Sequence, residues 1–165
     1  MARVAQKATD DEAKVRGDRV VTTNRRATYD YFIEESIEAG VSLTGTEIKS
    51  IRAGRVSIAE AYVRVDGGEL WLIGANVAPF EQAGQDNHEP TRPRKLLAKR
   101  RQIAHLQEAT DQKGMTLVPL RIALRHGLAK VDVGIAKGKK SYDKRAATAE
   151  REATRDIQRA LRDRG

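Results

Sequence analysis

Two tight-turn signals, each set between short stretches of alternating hydrophobicity, restrict this chain more than any other feature. Asp66-Gly67-Gly68 separates Ala61–Val65 from Glu69–Gly74, and Arg125-His126-Gly127 separates Met115–Leu124 from Leu128–Ala136. Glycine at such points supplies the positive φ that a tight β-hairpin needs. In the first pair of runs Val63, Val65, Leu70 and Leu72 recur at every second position, which gathers them on one face of a strand. Trp71 falls on the opposite face from its neighbours. In the second pair Leu117, Leu120, Ile122 and Leu124 lead to the turn, and Val131, Val133 and Ile135 leave it. Pro119 interrupts the first of these runs and predicts an edge strand or a bulge.

The remaining elements are read in the same way. Tyr29, Tyr31 and Ile33 alternate with Asp30 and Glu34, which predicts a half-buried strand from Thr28. Gly40 predicts a bulge or bend before a short strand, Val41–Leu43. Thr44-Gly45-Thr46-Glu47 has the spacing of a capping box. It predicts a short helix with Ile48 and Ile51 on one face, Lys49 and Arg52 on another, and Gly54 just past its end. Pro79 to Pro93 reads as a polar loop. Lys99 to Gln112 reads as a helix with Ile103, Leu106 and Gln107 on one side, ended by Lys113-Gly114. There is no internal repeat. Six or seven short strands joined mostly by hairpins, with two or three helices, predict a mainly β fold. The expected solution is a small antiparallel OB-like β-barrel, closed or half-closed, because closure removes exposed strand edges.

Charge divides the chain into three regions. The 165 residues carry a formal charge of +8. From Lys137 to Gly165 ten Lys/Arg face five acids, whereas residues 1–23 carry five basic and four acidic groups. Residues 1–23 are polar and small, and read as a flexible N-terminal arm. Residues 24–137 are the barrel, and 138–165 a basic C-terminal tail. In the tail Arg151, Arg155, Arg159 and Arg162 form a basic stripe, and Ala149, Ala153, Ile157 and Leu161 a thin apolar one. An isolated helix of this length is marginal in water, so the tail is expected to become helical when bound to a polyanion. A basic balance of this kind points first to phosphate-rich polymers. The chain has no cysteine, no apolar leader and no run that could span a bilayer; the expectation is a soluble, cytoplasmic protein.

Catalytic signals are poor. His88, His105 and His126 are scattered and read as surface residues. The stretch GIAKGKKS fails the P-loop spacing, since three residues rather than four separate Gly134 from Gly138 and Ser141 follows a second lysine. No RNP1 pattern and no zinc-finger spacing is present. Basic and aromatic residues meet in two places. Asn24, Arg25 and Arg26 lead into Tyr29, Tyr31 and Phe32, of which Tyr31 and Phe32 must face opposite sides of a strand. Arg92, Arg94, Lys95, Lys99, Arg100 and Arg101 form the densest basic cluster of the barrel, which on composition alone reads first as a solvated face. Aromatic groups beside arginines can stack unpaired bases, as single-stranded or looped RNA is held.

The stretches NRRATYDYFIEESIEAG, LTGTEIKSIRAGRVSIAEAYV, LIGANVAPF, PTRPRKLL, KVDVGIAKGKK and SYDKR, in this order over most of residues 24–145, resemble the SmpB family, the SsrA-binding proteins of bacterial trans-translation. The resemblance implies an OB-like barrel that binds the tRNA-like domain of transfer-messenger RNA (tmRNA). It implies delivery of that RNA to the A site of a stalled ribosome, on the small-subunit rRNA, with the tail lying in the empty mRNA channel. Elongation factor Tu would be an indirect partner through the charged tmRNA. No enzyme activity, cofactor, metal, membrane or DNA is implied. Carried over by position, Asn24, Tyr31, Glu38 and Leu97 resemble the tmRNA-binding surface, and Arg52, Lys130 and Lys137 phosphate contacts near it. The basic groups Arg25, Arg26, Lys49, Arg94 and Lys95 extend that candidate surface. Gly138, Lys139, Lys140, Tyr142, Asp143, Lys144 and Arg145 resemble the decoding-centre segment, continued along the tail by Arg151 and Arg155. Thr46 stands where members often carry tryptophan. Tyr142 stands where some carry histidine, and can stack on a base without carrying positive charge. The residues by themselves also leave open a ribosomal or assembly protein with an rRNA-binding tail, and an enzyme acting on RNA.

Overall fold

Both hairpins form at the turns the glycines mark. Strand β4 (Tyr62–Asp66) pairs with β5 (Glu69–Ile73) in register from Tyr62↔Ile73 to Asp66↔Glu69. Strand β8 (Thr116–Arg125) pairs with β9 (Leu128–Gly138), closing at Arg125↔Leu128. Gly67, Gly68 and Gly127 all have positive φ, as does His126 at 52°, so the second turn holds one non-glycine residue in the left-handed region. The structure, a computed structural model, describes residues 18–139 and 141–163.

Five further strands complete the β structure of the described residues: β1 (Arg19–Thr23), β2 (Tyr31–Val41), β3 (Val56–Ser57), β6 (Asn76–Val77) and β7 (Arg94–Leu97). The main sheet is antiparallel throughout. Its order runs β8-β4-β5-β7-β2-β9, and β9 pairs back onto β8, so six strands close into a barrel. β1 lies beside the second half of β8, on the same edge that β4 meets at Val63↔Leu117. β3 and β6 form a separate two-stranded ribbon. The helices are α1 (Arg25–Asp30), α2 (Gly45–Arg52), α3 (Arg100–Lys113) and α4 (Ser141–Asp163), with a 3-10 helix over Glu81–Asp86.

The alternation read in the sequence becomes the barrel core. Leu70, Leu72, Leu96, Leu117, Val131 and Val133 point inward and are almost completely buried. Ile51 of α2 and Leu106 of α3 pack onto the same cluster. Each such side chain contributes about 2 kcal/mol on burial. The intervening positions form a second, smaller cluster on the outside of the barrel. There Ala27 of α1 sits on Val118 and Ala136, with Tyr31, Ile33 and Leu120 packed around it. Gly134 permits this arrangement, since a Cβ there would come within 3.0 Å of the Leu120 methyl groups.

Helix α2 follows the capping box: the Thr44 hydroxyl accepts from the Glu47 N–H, and the Glu47 carboxylate accepts from the Thr44 N–H at 2.9 Å. Gly114 ends α3 in the left-handed conformation. Pro119 marks a bulge and not an edge. The β8–β9 register shifts between Pro119 and Arg121, while β8 keeps neighbours on both sides.

Several expectations are corrected. Tyr29 lies on α1, and the strand expected from Thr28 begins at Tyr31, because Asn24 caps a helix ahead of it. Gly40 is an ordinary position of β2, which runs unbroken to Val41; the bulge of β2 lies between Ile33 and Glu35. Residues 19–23, assigned to the flexible arm, form β1, because the second half of β8 offers an open edge. Residues 1–17 of that arm lie outside the described residues. The helical pattern of the tail is realised as α4, which begins three residues after β9 ends.

Candidate nucleic-acid interface

Closure of the barrel brings together residues far apart in sequence on the outer face of β7, β2 and β9. Gly40 pairs with Leu97 on one side and Lys130 on the other. Its missing Cβ leaves space that the Leu97 side chain and the Lys130 ammonium border, at 3.4 and 3.6 Å from where a Cβ would stand. Leu97 is 54% exposed, an apolar group held in solvent by its strand position. Two residues along β2, Glu38 is exposed and receives Arg125 Nε at 3.1 Å. Asp132, paired with Glu38 across the β2–β9 ladder, is held by Arg121. Arg52 reaches the same end of the barrel, where it donates to the Gly127 carbonyl at 3.4 Å. Glu38, Leu97 and Lys130 thus share one face around Gly40, an apolar knob among charged groups, and Arg52 lies at the β8–β9 turn. Arg121 and Arg125 belong to those charged groups and were missed, because their placement depends on cross-strand register.

A second group surrounds α1. Arg25 is exposed, and Arg26 is exposed and pairs with Glu60 at 2.5 Å. Tyr31 is half-buried on the small outer cluster, whereas Phe32 is 48% exposed. Between α1 and the segment before β4 lies a cleft of about 260 Å³, lined by Asn24, Arg26, Asp30, Tyr31, Glu60 and Tyr62 among others. Lys137 pairs with Phe32 across β2–β9 and is exposed, and Gly138 pairs with Tyr31. Lys139 is half-buried, with its ammonium 4.9 Å from the Phe32 ring centroid. Of the tail residues, Arg145, Arg151 and Arg155 are exposed on α4. Lys140 and the side chains of Tyr142, Asp143 and Lys144 lie outside the described residues.

Two expected surface residues are structural. Arg94 is 1% exposed and ion-paired with Glu47, which is 0% exposed. Its remaining donors reach the carbonyls of Ala75 at 2.9 Å and Pro90 at 3.1 Å. Arg92 donates to the other Glu47 oxygen at 2.5 Å. Burial pushes the Glu47 carboxyl up, but hydrogen bonds from Arg92, the Thr44 N–H and Arg94, with the Arg94 charge, outweigh it and bring it down to about 2. Burial likewise pushes the Arg94 guanidinium down. Arg94 offers nothing to a phosphate. It was misread because its neighbours in sequence, Lys95 and Arg92, face outward or half-outward, and period two hides the inward position among them.

Asn24 is 6% exposed, and its side chain is fully occupied. The amide donates to the Pro119 carbonyl at 2.9 Å and the Ile58 carbonyl at 3.3 Å, and its oxygen accepts from the Ala27 N–H. Asn24 therefore positions Arg25, Arg26 and Tyr31 by capping α1 and fastening it to the β8 bulge. Lys49 stands apart from both groups, over the Phe80 ring at 5.2 Å, and Lys95 is half-buried and paired with Glu69 at 3.1 Å.

His88 is also more than a surface residue. Its Nε2 donates to the Val77 carbonyl and its Nδ1 accepts from the Thr46 hydroxyl, both at 2.9 Å. Thr46 thus ties the polar loop to α2. His105 is exposed and bonded to Glu35 at 2.8 Å. Among the described residues no group of His, Asp and Glu is placed to hold a metal ion, and no helix is long and apolar enough to cross a membrane.

The SmpB protein family model matches residues 21–163. The SsrA-binding protein of Roseiflexus sp. (strain RS-1) is 57% identical over 148 residues, covering 89% of this chain and 94% of that protein. The SsrA-binding protein of Desulfitobacterium hafniense (strain DSM 10664 / DCB-2) is 51% identical over 149 residues, covering 90% and 96%. A chain from the solved structure described as "tmRNA-SmpB: a journey to the center of the bacterial ribosome" is similar at a TM-score of 0.62 and 45% identity, over 73% of this chain and 85% of that one. With the barrel, the patch around Gly40 and the basic tail helix in place, the chain belongs to the SmpB family.

Proposed function

We propose that this chain binds the tRNA-like domain of tmRNA through its barrel and delivers that RNA to stalled ribosomes for trans-translation, acting as an RNA-binding factor and not as an enzyme. The observation that carries the reading is the separation of two surfaces on one chain. The barrel presents a modestly charged patch with an exposed leucine, built from Glu38, Leu97 and Lys130, with Arg52 at the neighbouring β8–β9 turn. The tail presents arginines along a helix with little apolar surface of its own. A surface of mixed charge with an apolar knob suits a shaped RNA element, where contact geometry matters more than charge density. A stripe of arginines suits a channel lined by RNA backbone. The membership of the family and the relatives' names support the same assignment.

On this reading Arg25, Arg26, Tyr31, Lys95 and Lys137 extend the tmRNA surface, and Lys49 contributes at its periphery. Gly138 to Arg145 enter the decoding centre, and Arg151 and Arg155 follow into the mRNA channel. Elongation factor Tu is met only through the charged tmRNA, and the work is cytoplasmic, where ribosomes are. The test is a pair of measurements on the chain truncated after Gly138. Gel shifts at fixed salt should show tmRNA affinity within about twofold of the full chain, and a preference over ordinary alanyl-tRNA and unrelated duplex RNA. Peptide tagging on stalled ribosomes should be abolished. Loss of RNA binding in the truncated chain would refute the division of labour. Fixed stoichiometry on all ribosomal subunits would identify a permanent ribosomal component instead.

A further inference from the structure

On the outer face of the barrel Trp71 stands in the middle of a row that crosses three strands. It pairs with Arg64 of β4 on one side and with Lys95 of β7 on the other. Leu70 and Leu72 supply the share of β5 in the core, so the indole between them points outward and is half-buried. Each flanking cation leans on an acid one row nearer the hairpin turn. Arg64 lies 3.8 Å from Asp66, and Lys95 donates to Glu69 at 3.1 Å. All four of these side chains are about half exposed. Beside the indole runs a groove of about 440 Å³, lined by Arg64, Asp66, Glu69, Ile73 and Pro93 among others. The row is continuous with the patch around Gly40. Lys95 and Leu97 share the outer face of β7, with Leu96 buried between them, and Leu97 pairs with Gly40.

We propose that Trp71 is a stacking platform for one unpaired RNA base, with Arg64 and Lys95 meeting the phosphates on either side of it. The tmRNA surface then runs from Lys130 over Gly40, Leu97 and Lys95 onto the β4–β5 hairpin; this extension rests on the tmRNA reading of the Gly40 patch. Three features favour RNA over a protein partner. An aromatic ring between cations is the arrangement that holds unpaired bases, whatever their identity. The ion pairs with Asp66 and Glu69 are solvent-exposed, and such pairs contribute little, so a phosphate can replace either carboxylate. Charged groups surround the indole on the outer face, whereas the core of a protein interface is depleted of them. Both neighbouring strands hold the backbone of Trp71 in place, so the ring is offered with little left to order on binding.

Trp71 is the single tryptophan of the chain, so its fluorescence reports this face alone. Titrating the full chain with tmRNA at fixed salt should quench that fluorescence, with a midpoint that coincides with the gel shift. Trp71→Leu, which keeps an apolar side chain and loses the aromatic face, should weaken tmRNA binding roughly tenfold, and Trp71→Phe by less than about threefold. Arg64→Ala should lower the slope of log K against log salt by about 1, and Arg64→Lys should restore it. Thermal midpoints check that each variant is folded; the quenching needs no substitution and decides the matter where a variant is not. A tmRNA gel shift without quenching, or full affinity in Trp71→Leu, overturns the platform and leaves the Gly40 patch as the tmRNA site. Full affinity with lost peptide tagging in Trp71→Leu overturns it in favour of a protein partner on this face. A single-stranded hexamer of adenylates separates the two readings. Quenching by the hexamer in a chain that gives no tmRNA gel shift would keep the stack and refute the tmRNA assignment, and no quenching by either RNA would refute the stack.

Discussion

Replacing Arg94 by methionine removes the buried guanidinium but keeps an unbranched side chain of similar reach. Glu47 then remains fully buried, with Arg92 and the Thr44 N–H left as its partners among the described residues. Breaking one member of a buried pair costs about 3–5 kcal/mol, because the other charge is left incompletely compensated. A figure for all the partners of the carboxyl together, Arg92 and the Thr44 N–H included, comes from its own shift. Its shift from 4.5 to about 2, at 1.36 kcal/mol per pH unit, is worth about 3 kcal/mol. The sign is set by the direction of the shift: the folded value is depressed. This stability is therefore fully present above pH 4.5 and is lost as pH falls from about 4.5 to about 2. Arg94→Met should lower the unfolding free energy at pH 7 by about 3–5 kcal/mol in urea titrations. It should also shrink the acid limb below pH 4.5 in part, since Arg94 is one of the groups that hold the carboxyl down while Arg92 and the Thr44 N–H remain. At a temperature where the variant stays folded, tmRNA affinity and its salt slope should match the unsubstituted chain. The double substitution Glu47→Leu with Arg94→Met should recover most of the loss, since a buried pair and a packed apolar pair are often of equal stability. Near-normal stability of Arg94→Met together with weakened RNA binding would refute the reasoning and return Arg94 to the RNA surface.

Two further outcomes follow from the same geometry. Lys130→Ala, which removes an ammonium beside Gly40 without touching the core, should weaken tmRNA binding with little change in thermal midpoint; the slope of log K against log salt should fall by about 1. Asn24→Ala strips the cap from α1 and leaves the Pro119 and Ile58 carbonyls unmet, so unfolding free energy should drop by about 1–3 kcal/mol in denaturant titration, and Asn24→Asp should recover only the cap.

The elements of this protein were legible where local chemistry decides them. Asp66-Gly67-Gly68 forces a hairpin whatever lies around it, and Thr44 with Glu47 caps a helix from within four residues. The alternation of Leu70 with Leu72, and of Val131 with Val133, places an inner face because a strand turns by half a revolution per residue. That the chain was an antiparallel barrel with a basic helical tail follows from these local facts and from the advantage of closing the sheet. The site was legible only in part. Glu38, Leu97 and Lys130 were named by resemblance, but what unites them is the register of β7, β2 and β9 at Gly40, which depends on the whole ring closing. The same closure turned Arg94 inward onto Glu47 while Leu97, three residues on, was left exposed. It also placed Asn24 beneath the bulge at Pro119 and carried Lys139 to the end of α1. Sequence spacing fixes which side of its own strand a residue occupies. Whether that side meets solvent, a buried carboxylate or the end of a helix is decided by partners remote in the chain, and only the tertiary structure brings them within reach.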